Sequence, residues 1–187
     1  MSKENKYVFL IGIIIFGVSF FLSGFSSSDL KLSPRLQEKL NNAVKTTFEV
    51  ETFRLENIKI PNEVNAKTPV EFGGENLFKI SQDSQTLGYV YLGQAPSMKN
   101  IFDYVVLFTN DMHIKKSKVL IYREDYGRQI GSQRWLKQFI GKKSGDTLVY
   151  SKDVDAISGA TISAKSMTNA INDVLASIKT LQENRTI

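Results

Sequence analysis

"FDYVVLFTNDMHIKKSKVLIYRE", residues 102–124, contains two runs of strand-forming residues with a polar turn between them. Both runs are rich in Val, Ile, Tyr and Phe, and Asn110-Asp111 offers residue types that favour a tight turn. A similar run, "LGYVYLG" at residues 87–93, precedes them. The pattern predicts that the middle of the chain forms an antiparallel sheet.

Two amphipathic helical segments bracket this predicted sheet. "SPRLQEKLNNAVKTTF", residues 33–48, has Ser33 as a candidate N-cap and Pro34 at the first helical position, and its apolar residues share one face. Between Met167 and Leu181 the apolar residues again recur at helical spacing. We therefore expect an α+β domain, an antiparallel sheet packed by two long helices that cover one of its faces.

Shorter elements are predicted between these landmarks. "SQRWLKQFIG", residues 132–141, predicts a short helix with Ser132 as its cap, Gly141 as its stop, and Trp135, Leu136, Phe139 and Ile140 buried. Strands are expected at residues 52–61 and 147–151, with a glycine-rich turn at Gly73-Gly74. The predicted domain limits are residues 1–25 for an N-terminal segment, 26–84 for a helix and strand lead-in, and 85–187 for the core.

The N-terminal segment is apolar enough to cross a bilayer. "YVFLIGIIIFGVSFFLSGF", residues 7–25, contains no charge and matches the ~20 residues that a spanning helix needs. Lys3 and Lys6 precede it, which predicts a transmembrane helix with a cytoplasmic N-terminus and an extracytoplasmic, periplasmic domain. A cleaved signal peptide is the alternative, because Gly24 and Ser26 are small. Residues 26–32 and the last few are expected to be disordered.

Composition excludes several kinds of site. The 187 residues include no cysteine and one histidine, so disulfides, iron-sulfur clusters and thiolate metal sites are excluded, and no metal site is predicted. The net charge of +5 is compatible with nucleic acid or anionic lipid, but the lysines are scattered among acids. Lys115, Lys116 and Lys118 lie at a strand start, where alternate side chains face opposite ways. We interpret them as a solvated face and predict no nucleic-acid partner.

"DAISGATISAK", residues 155–165, places a small-residue turn before the second long helix. The first turn of a helix has unpaired N–H groups and a partial positive charge, so phosphate binds readily there. Gly159 lets the backbone pass close to a ligand, and Ala160 adds little bulk. Two interpretations remain open from spacing alone: Thr161 or Ser163 is simply the N-cap, or Thr161 contacts or carries a phosphate.

The segment from Asp155 to Thr161 resembles the motif of the FMN-binding domain family. That motif is Asp, two variable residues, Ser or Thr, Gly, Ala and Thr, and the chain has Asp-Ala-Ile-Ser-Gly-Ala-Thr. The resemblance continues through "GATISAKSMTNAIND" and extends more loosely over residues 85–180. The family includes one component each of the Rnf electron-transport complex and of the sodium-translocating NADH:quinone reductase. Those components also have one N-terminal anchor and an exported domain.

The resemblance implies a flavoprotein with covalently bound FMN. Thr161 would carry FMN through a phosphoester made by a flavin transferase from FAD, and Asp155 would be recognised by that enzyme. Ser158, Gly159 and Ala160 would form the tight turn around the phosphate, with Ser163 following in the helix. The implied function is electron transport between membrane electron-transfer proteins, as a candidate subunit of an Rnf-like complex more than as a self-contained enzyme.

A second segment, "YREDYGRQIG" at residues 122–131, matches the family less well. The family has a Glu-Thr-Pro-Gly run near the flavin, whereas this chain keeps Glu124 and Gly127 with Asp125 and Tyr126 between them. Because tyrosine does not fix the backbone as proline does, this loop is expected to differ in shape. The departure bears on membership of the Rnf complex more than on flavin binding. Tyr126 either stacks on the isoalloxazine ring or packs within the loop.

Two other functions stay open. One is a stand-alone flavin reductase acting on a small extracytoplasmic substrate, although no second domain is predicted that would bind one. The other is a non-redox binding or assembly module whose two helices form a docking surface.

Overall fold

The computed structural model describes residues 32–72 and 74–187. Within these ranges the helices are α1 (Pro34–Phe48), α2 (Asn62–Asn65), α3 (Gln133–Leu136) and α4 (Thr161–Glu183). The strands are β1 (Arg54–Asn57), β2 (Leu77–Gln82), β3 (Gln85–Pro96), β4 (Ile101–Phe108) and β5 (Ile114–Ile121). Short 3-10 helices at Arg128–Gly131 and Lys137–Phe139 flank α3. None of the helices in these ranges is both long and apolar enough to span a membrane.

The strands within the described ranges form one antiparallel sheet in the order β1-β2-β3-β4-β5. The predicted pair at residues 102–124 is β4 and β5, and the turn between them contains Asn110-Asp111 as expected. The Met112 N–H closes this turn by donating to the Thr109 carbonyl at 3.1 Å. The sequence prediction of an α+β domain with an antiparallel sheet is therefore confirmed.

The two long helices lie on opposite faces of the sheet. Alternate residues of β4 belong to two separate apolar clusters: Phe102, Tyr104, Val106 and Phe108 pack with α4, and Val105 and Leu107 pack with α1. The expectation that both helices cover one face is wrong. Since side chains alternate along a strand and residues 102–108 are all buried, β4 needs cover on both sides.

Helix α1 begins and ends where local signals predict. The Ser33 side chain accepts from the Leu36 N–H at 3.4 Å, Pro34 occupies the first helical position, and Glu49 ends the helix in the left-handed conformation. Leu40 and Val44 are fully buried against the sheet. Helix α1 is thus the cover of one sheet face.

Helix α4 covers the other face and also holds nearby loops. Its buried side includes Met167, Ile171 and Ile178. The Asn172 amide donates to the Leu148 carbonyl at 2.8 Å and accepts from the Leu148 N–H at 2.9 Å. These two bonds satisfy both backbone polar groups of Leu148 with a side chain instead of a strand partner. The strand predicted there is wrong, and only an isolated bridge joins Tyr150 to Val154.

Other local predictions differ in detail. Strand β1 covers only four of the residues predicted at 52–61. Ile140 lies beyond the helical turn and is 50% exposed, so its predicted burial is wrong, and Ser132 makes no side-chain cap bond within the described structure. The structure describes the final residues as far as Ile187, which packs against the apolar cluster that α4 covers. The predicted membrane segment 7–25, residues 26–31 and Gly73 lie outside the described residues.

Candidate functional site

A tight turn leads directly into α4. The Ala160 N–H donates to the Ile157 carbonyl at 3.1 Å, and Gly159 adopts φ +76°, a conformation that favours glycine. The helix begins at Thr161 with Ala160 in the N-cap position, and Ser163 is buried inside its first turn. The interpretation of Thr161 or Ser163 as the N-cap is therefore wrong.

The start of α4 has the features of an anion site next to an accessible hydroxyl. No side chain of the described residues caps its N–H groups, which leaves them free to donate and keeps the helix end electropositive. Thr161 is exposed, and its hydroxyl makes one long contact, 3.5 Å to the Ile157 carbonyl. Apart from its two chain neighbours, no described residue has an atom within 4 Å of the place where a β-carbon on Gly159 would stand. A phosphate therefore has both donors and space here.

Two hydrogen bonds hold the backbone of Asp155, and its side chain is exposed. The Trp135 indole N–H donates to the Asp155 carbonyl at 2.7 Å, and the Asp155 N–H donates to Gln138 Oε1 at 2.9 Å. Trp135 is buried and packs edge-on against Phe139, with ring centroids 5.3 Å apart. The α3 region thereby fixes the start of the motif. Sequence reasoning identified Trp135 only as a core residue and missed Gln138.

The three residues that follow β5 begin the loop at residues 122–131, and each of them contacts a different part of the fold. The Tyr122 hydroxyl lies 2.9 Å from the Ser163 hydroxyl in α4. The Arg123 guanidinium pairs with the buried Asp103 carboxylate of β4 at 2.5 Å. Glu124 binds the turn between β3 and β4. This segment is therefore fixed even though it follows the last strand.

The Glu124 carboxylate is occupied by that turn. Its Oε1 accepts from the Ser97 hydroxyl at 2.6 Å and from the backbone N–H groups of Lys99 and Asn100 at 2.7 and 2.8 Å. These donors, led by Ser97, lower the pKa of Glu124 from 4.5 to about 2. Glu124 thus shapes the loop, and Ser97, which has no sequence signal of its own, is its partner.

Because the pKa of Glu124 is lower in the folded protein than in the unfolded chain, its contribution to stability is present above about pH 4.5 and is lost as pH falls towards 2. We expect the unfolding free energy of Glu124→Gln to fall less between pH 5 and pH 2 than that of the unmodified protein. Urea unfolding at a series of pH values measures this difference. Glu38→Gln, on the exposed side of α1, is the control, and identical slopes in the two variants would contradict the assignment.

Gly127 brings this loop into direct contact with the motif. A β-carbon on Gly127 would lie 3.0 Å from the Gly159 carbonyl oxygen and 3.2 Å from the Ala160 β-carbon. Tyr126, one residue earlier, is 85% exposed, so the interpretation that its ring packs within the loop is wrong. The structure thus brings the two sequence-predicted segments together and leaves an accessible aromatic ring between Glu124 and Gly127.

We expect Gly127→Ala to destabilise the protein and to disturb the motif turn. Gly127 has φ +78°, which costs a residue with a β-carbon about 1–2 kcal/mol. Gly141→Ala is the matched control, because Gly141 has φ +82° and no described atom within 4 Å of a new β-carbon. Both variants should lose unfolding free energy, but only Gly127→Ala should shift the amide NMR signals of residues 159–163. Equal shifts in both variants would contradict the contact.

Fold and site together define an α+β domain with an electropositive helix end beside an exposed hydroxyl. The family model of the FMN-binding domain matches residues 99–176, from the turn before β4 almost to the end of α4. Residues 99–176 therefore belong to the FMN-binding domain family, and the protein is a flavin-binding protein. The predicted resemblance is confirmed over a slightly shorter range than residues 85–180. None of the curated proteins compared with the chain matches it.

Proposed function

We propose that Thr161 carries FMN covalently through a phosphoester and that the protein is an electron relay. The observation that supports this proposal is the position of the Thr161 hydroxyl, exposed at an uncapped helix N-terminus directly after a Ser-Gly-Ala turn. The ester forms between Thr161 Oγ1 and the FMN phosphorus as the pyrophosphate bond of FAD breaks. AMP leaves, and the hydroxyl proton is released.

Backbone donors would hold the phosphate. The N–H groups of the first turn of α4 would donate to its oxygens, and their aligned dipoles would offset its charge. Gly159 has no side chain that could block the approach of a phosphate. Its φ of +76° is unfavourable for a residue with a β-carbon, so this position favours glycine. Ser158 is exposed in the same turn and would offer a further hydroxyl donor.

The loop from Glu124 to Gly127 lies beside the motif, where it would contact the isoalloxazine ring of bound FMN. When bound, FMN supplies one- and two-electron redox chemistry, and the protein sets its surroundings. Tyr126 offers a solvent-exposed aromatic face for stacking. The hydrogen bonds of Glu124 and the contact of Gly127 with the motif hold this loop in position.

Asp155 is the recognition residue for the flavin transferase. Its carboxylate is exposed, and Trp135 and Gln138 hold its backbone in one orientation. An exposed acidic group six residues before Thr161 offers the transferase a charged contact. Because the backbone that carries this group is already held, less conformational entropy is lost when the transferase binds.

The relay is anchored outside the cytoplasm. Residues 7–25 have the length and composition of a spanning helix, with the folded domain on the extracytoplasmic, periplasmic side. FMN that dissociated there would be diluted away, and noncovalent binding depends on ligand concentration. A phosphate tether keeps the flavin in place while it exchanges electrons with membrane partners, as in an Rnf-like complex.

The test is to produce the full chain with and without a flavin transferase and FAD. We expect the mass of one FMN phosphoester and a fluorescent denatured band only when the transferase is present. A folded chain that never gains this mass would contradict covalent attachment and favour a module without a redox role. Rapid turnover of a small acceptor by the single chain would favour a self-contained reductase. The same mass measurement shows whether residues 1–25 are retained.

A further inference from the structure

A basic groove lies on the side of the molecule where α1 ends, β5 begins and α3 passes. It is open to solvent, has a volume of about 560 Å³, and is lined by four cationic residues, Lys115, Lys116, Arg134 and Lys137. Glu49 is the acidic residue in its lining. Within the described residues, none of the four cations forms an ion pair. With one acidic residue against four cations, the groove has a net positive charge; Lys115 Nζ also lies 5.7 Å from the centroid of the Phe48 ring.

A β-bulge brings two of these cations together. In the pairing of β4 with β5, Leu107 lies opposite Lys116 and Phe108 opposite Ile114, so Lys115 is an extra residue on β5. A bulge interrupts the strict alternation of side chains and re-aims them. Lys115 and Lys116 consequently both line the groove. The sequence expectation that neighbouring lysines here face opposite ways is wrong at this position.

Residues in and beside the groove are affected by its positive charge and by burial. Partial burial, together with the charge of Lys116, lowers the pKa of the neighbouring Lys118. Lys118 donates to the Thr46 hydroxyl at 2.9 Å, and Thr46 lines the groove. Thr47, also in the lining and 9% exposed, has a buried hydroxyl that lacks a hydrogen-bond partner within the described structure. An anion in the groove would reduce the repulsion among these cations.

We propose that this groove binds a small polyanion with two or more phosphate or carboxylate groups. Its volume lies in the range of small-ligand sites, about 300–1,000 Å³. Arg134 provides a planar fork for bidentate contact, and the three lysines provide point charges. Because the four cations gather around one depression of about 560 Å³, we favour a small ligand over a membrane surface. The proposed ligand is distinct from the flavin, since Lys116 lies six positions, or about 20 Å of extended chain, before Tyr122, which contacts the motif helix.

The test uses inorganic pyrophosphate as the probe and the full chain kept in detergent. Isothermal titration at constant ionic strength, with chloride as the matched salt, should give one site per chain. Arg134 and Lys137 are exposed, so the double variant Arg134→Gln/Lys137→Gln should stay folded, and its affinity should fall at least tenfold. Lys152→Gln, in an exposed turn on the α4 side, is the control and should bind as the unmodified chain does.

Three outcomes would overturn the proposal. These are no binding of pyrophosphate at millimolar concentration, equal loss of affinity in the control and the double variant, or binding of an acidic peptide without binding of pyrophosphate. The last result would identify a protein-docking surface instead. NMR shifts confined to residues 115–116 and 133–137 on titration, together with the tenfold loss, would support it.

Discussion

Thr161→Ala should contain no covalently bound flavin, even when a transferase and FAD are abundant. Alanine lacks the oxygen that forms the ester, and the nearby hydroxyls differ in position. Ser163 is 3% exposed and bonded to Tyr122, so it cannot be reached by a transferase without disrupting the helix start. Since Thr161 is exposed, the substitution should change the unfolding free energy by no more than about 0.5 kcal/mol. The loss of flavin would therefore report on chemistry and not on folding.

Fluorescence of the denatured band and intact mass measure this result. Thr180→Ala is the matched control, because Thr180 is a threonine on the same helix, and it should be loaded fully. Thr161→Ser keeps a hydroxyl at the helix start and should retain some loading. Covalent flavin that persists in Thr161→Ala would show that the ester lies elsewhere.

Leu40→Ala should cause the largest loss of stability among the substitutions considered. Leu40 is fully buried between α1 and the sheet, in the cluster that contains Val105 and Leu107. Removing a buried leucine side chain leaves a cavity and typically lowers the unfolding free energy by about 2–5 kcal/mol. That is a large fraction of the total stability of a domain, about 5–15 kcal/mol.

Urea unfolding followed by circular dichroism measures the loss, with Arg35→Ala on the exposed side of α1 as the control. At temperatures where Leu40→Ala is folded, it should still accept FMN on Thr161, because α1 and the motif lie on opposite faces. A loss below about 1 kcal/mol, well under the usual range for a buried leucine, would contradict the packing of α1. A folded variant that cannot be loaded would contradict the independence of the two faces.

Local signals were sufficient to predict most of the secondary structure. Ser33 and Pro34 indicated the start of α1 within one residue, and the turn residues at Asn110-Asp111 separated β4 from β5. Each of these signals acts through neighbours in sequence, as a cap, a fixed φ angle or a turn. The segment 147–151 was mispredicted because its hydrogen-bond partner, Asn172, is distant in sequence.

The residues of the candidate site also fall into two groups, those that the sequence predicted and those that only the structure identified. The segment from Asp155 to Thr161, with Glu124 and Gly127, was identified through the family resemblance. The residues that hold these segments, Tyr122, Trp135 and Gln138, were not, because each acts through a contact 17 to 41 positions away in the chain. A buried tryptophan or a tyrosine at a strand end has the same sequence pattern whether or not its polar atom holds a loop.

By itself, the sequence determined the types of element, the turn before α4 and the motif that identifies the flavin-binding family. The tertiary structure alone decided that α1 and α4 cover opposite faces, that Gly127 meets Gly159, and that Lys115 and Lys116 share a groove. The spacing of apolar residues indicates which side of a helix or strand is buried, but not which other element packs against it. That choice depends on contacts between distant segments and on a one-residue bulge, which no local pattern encodes.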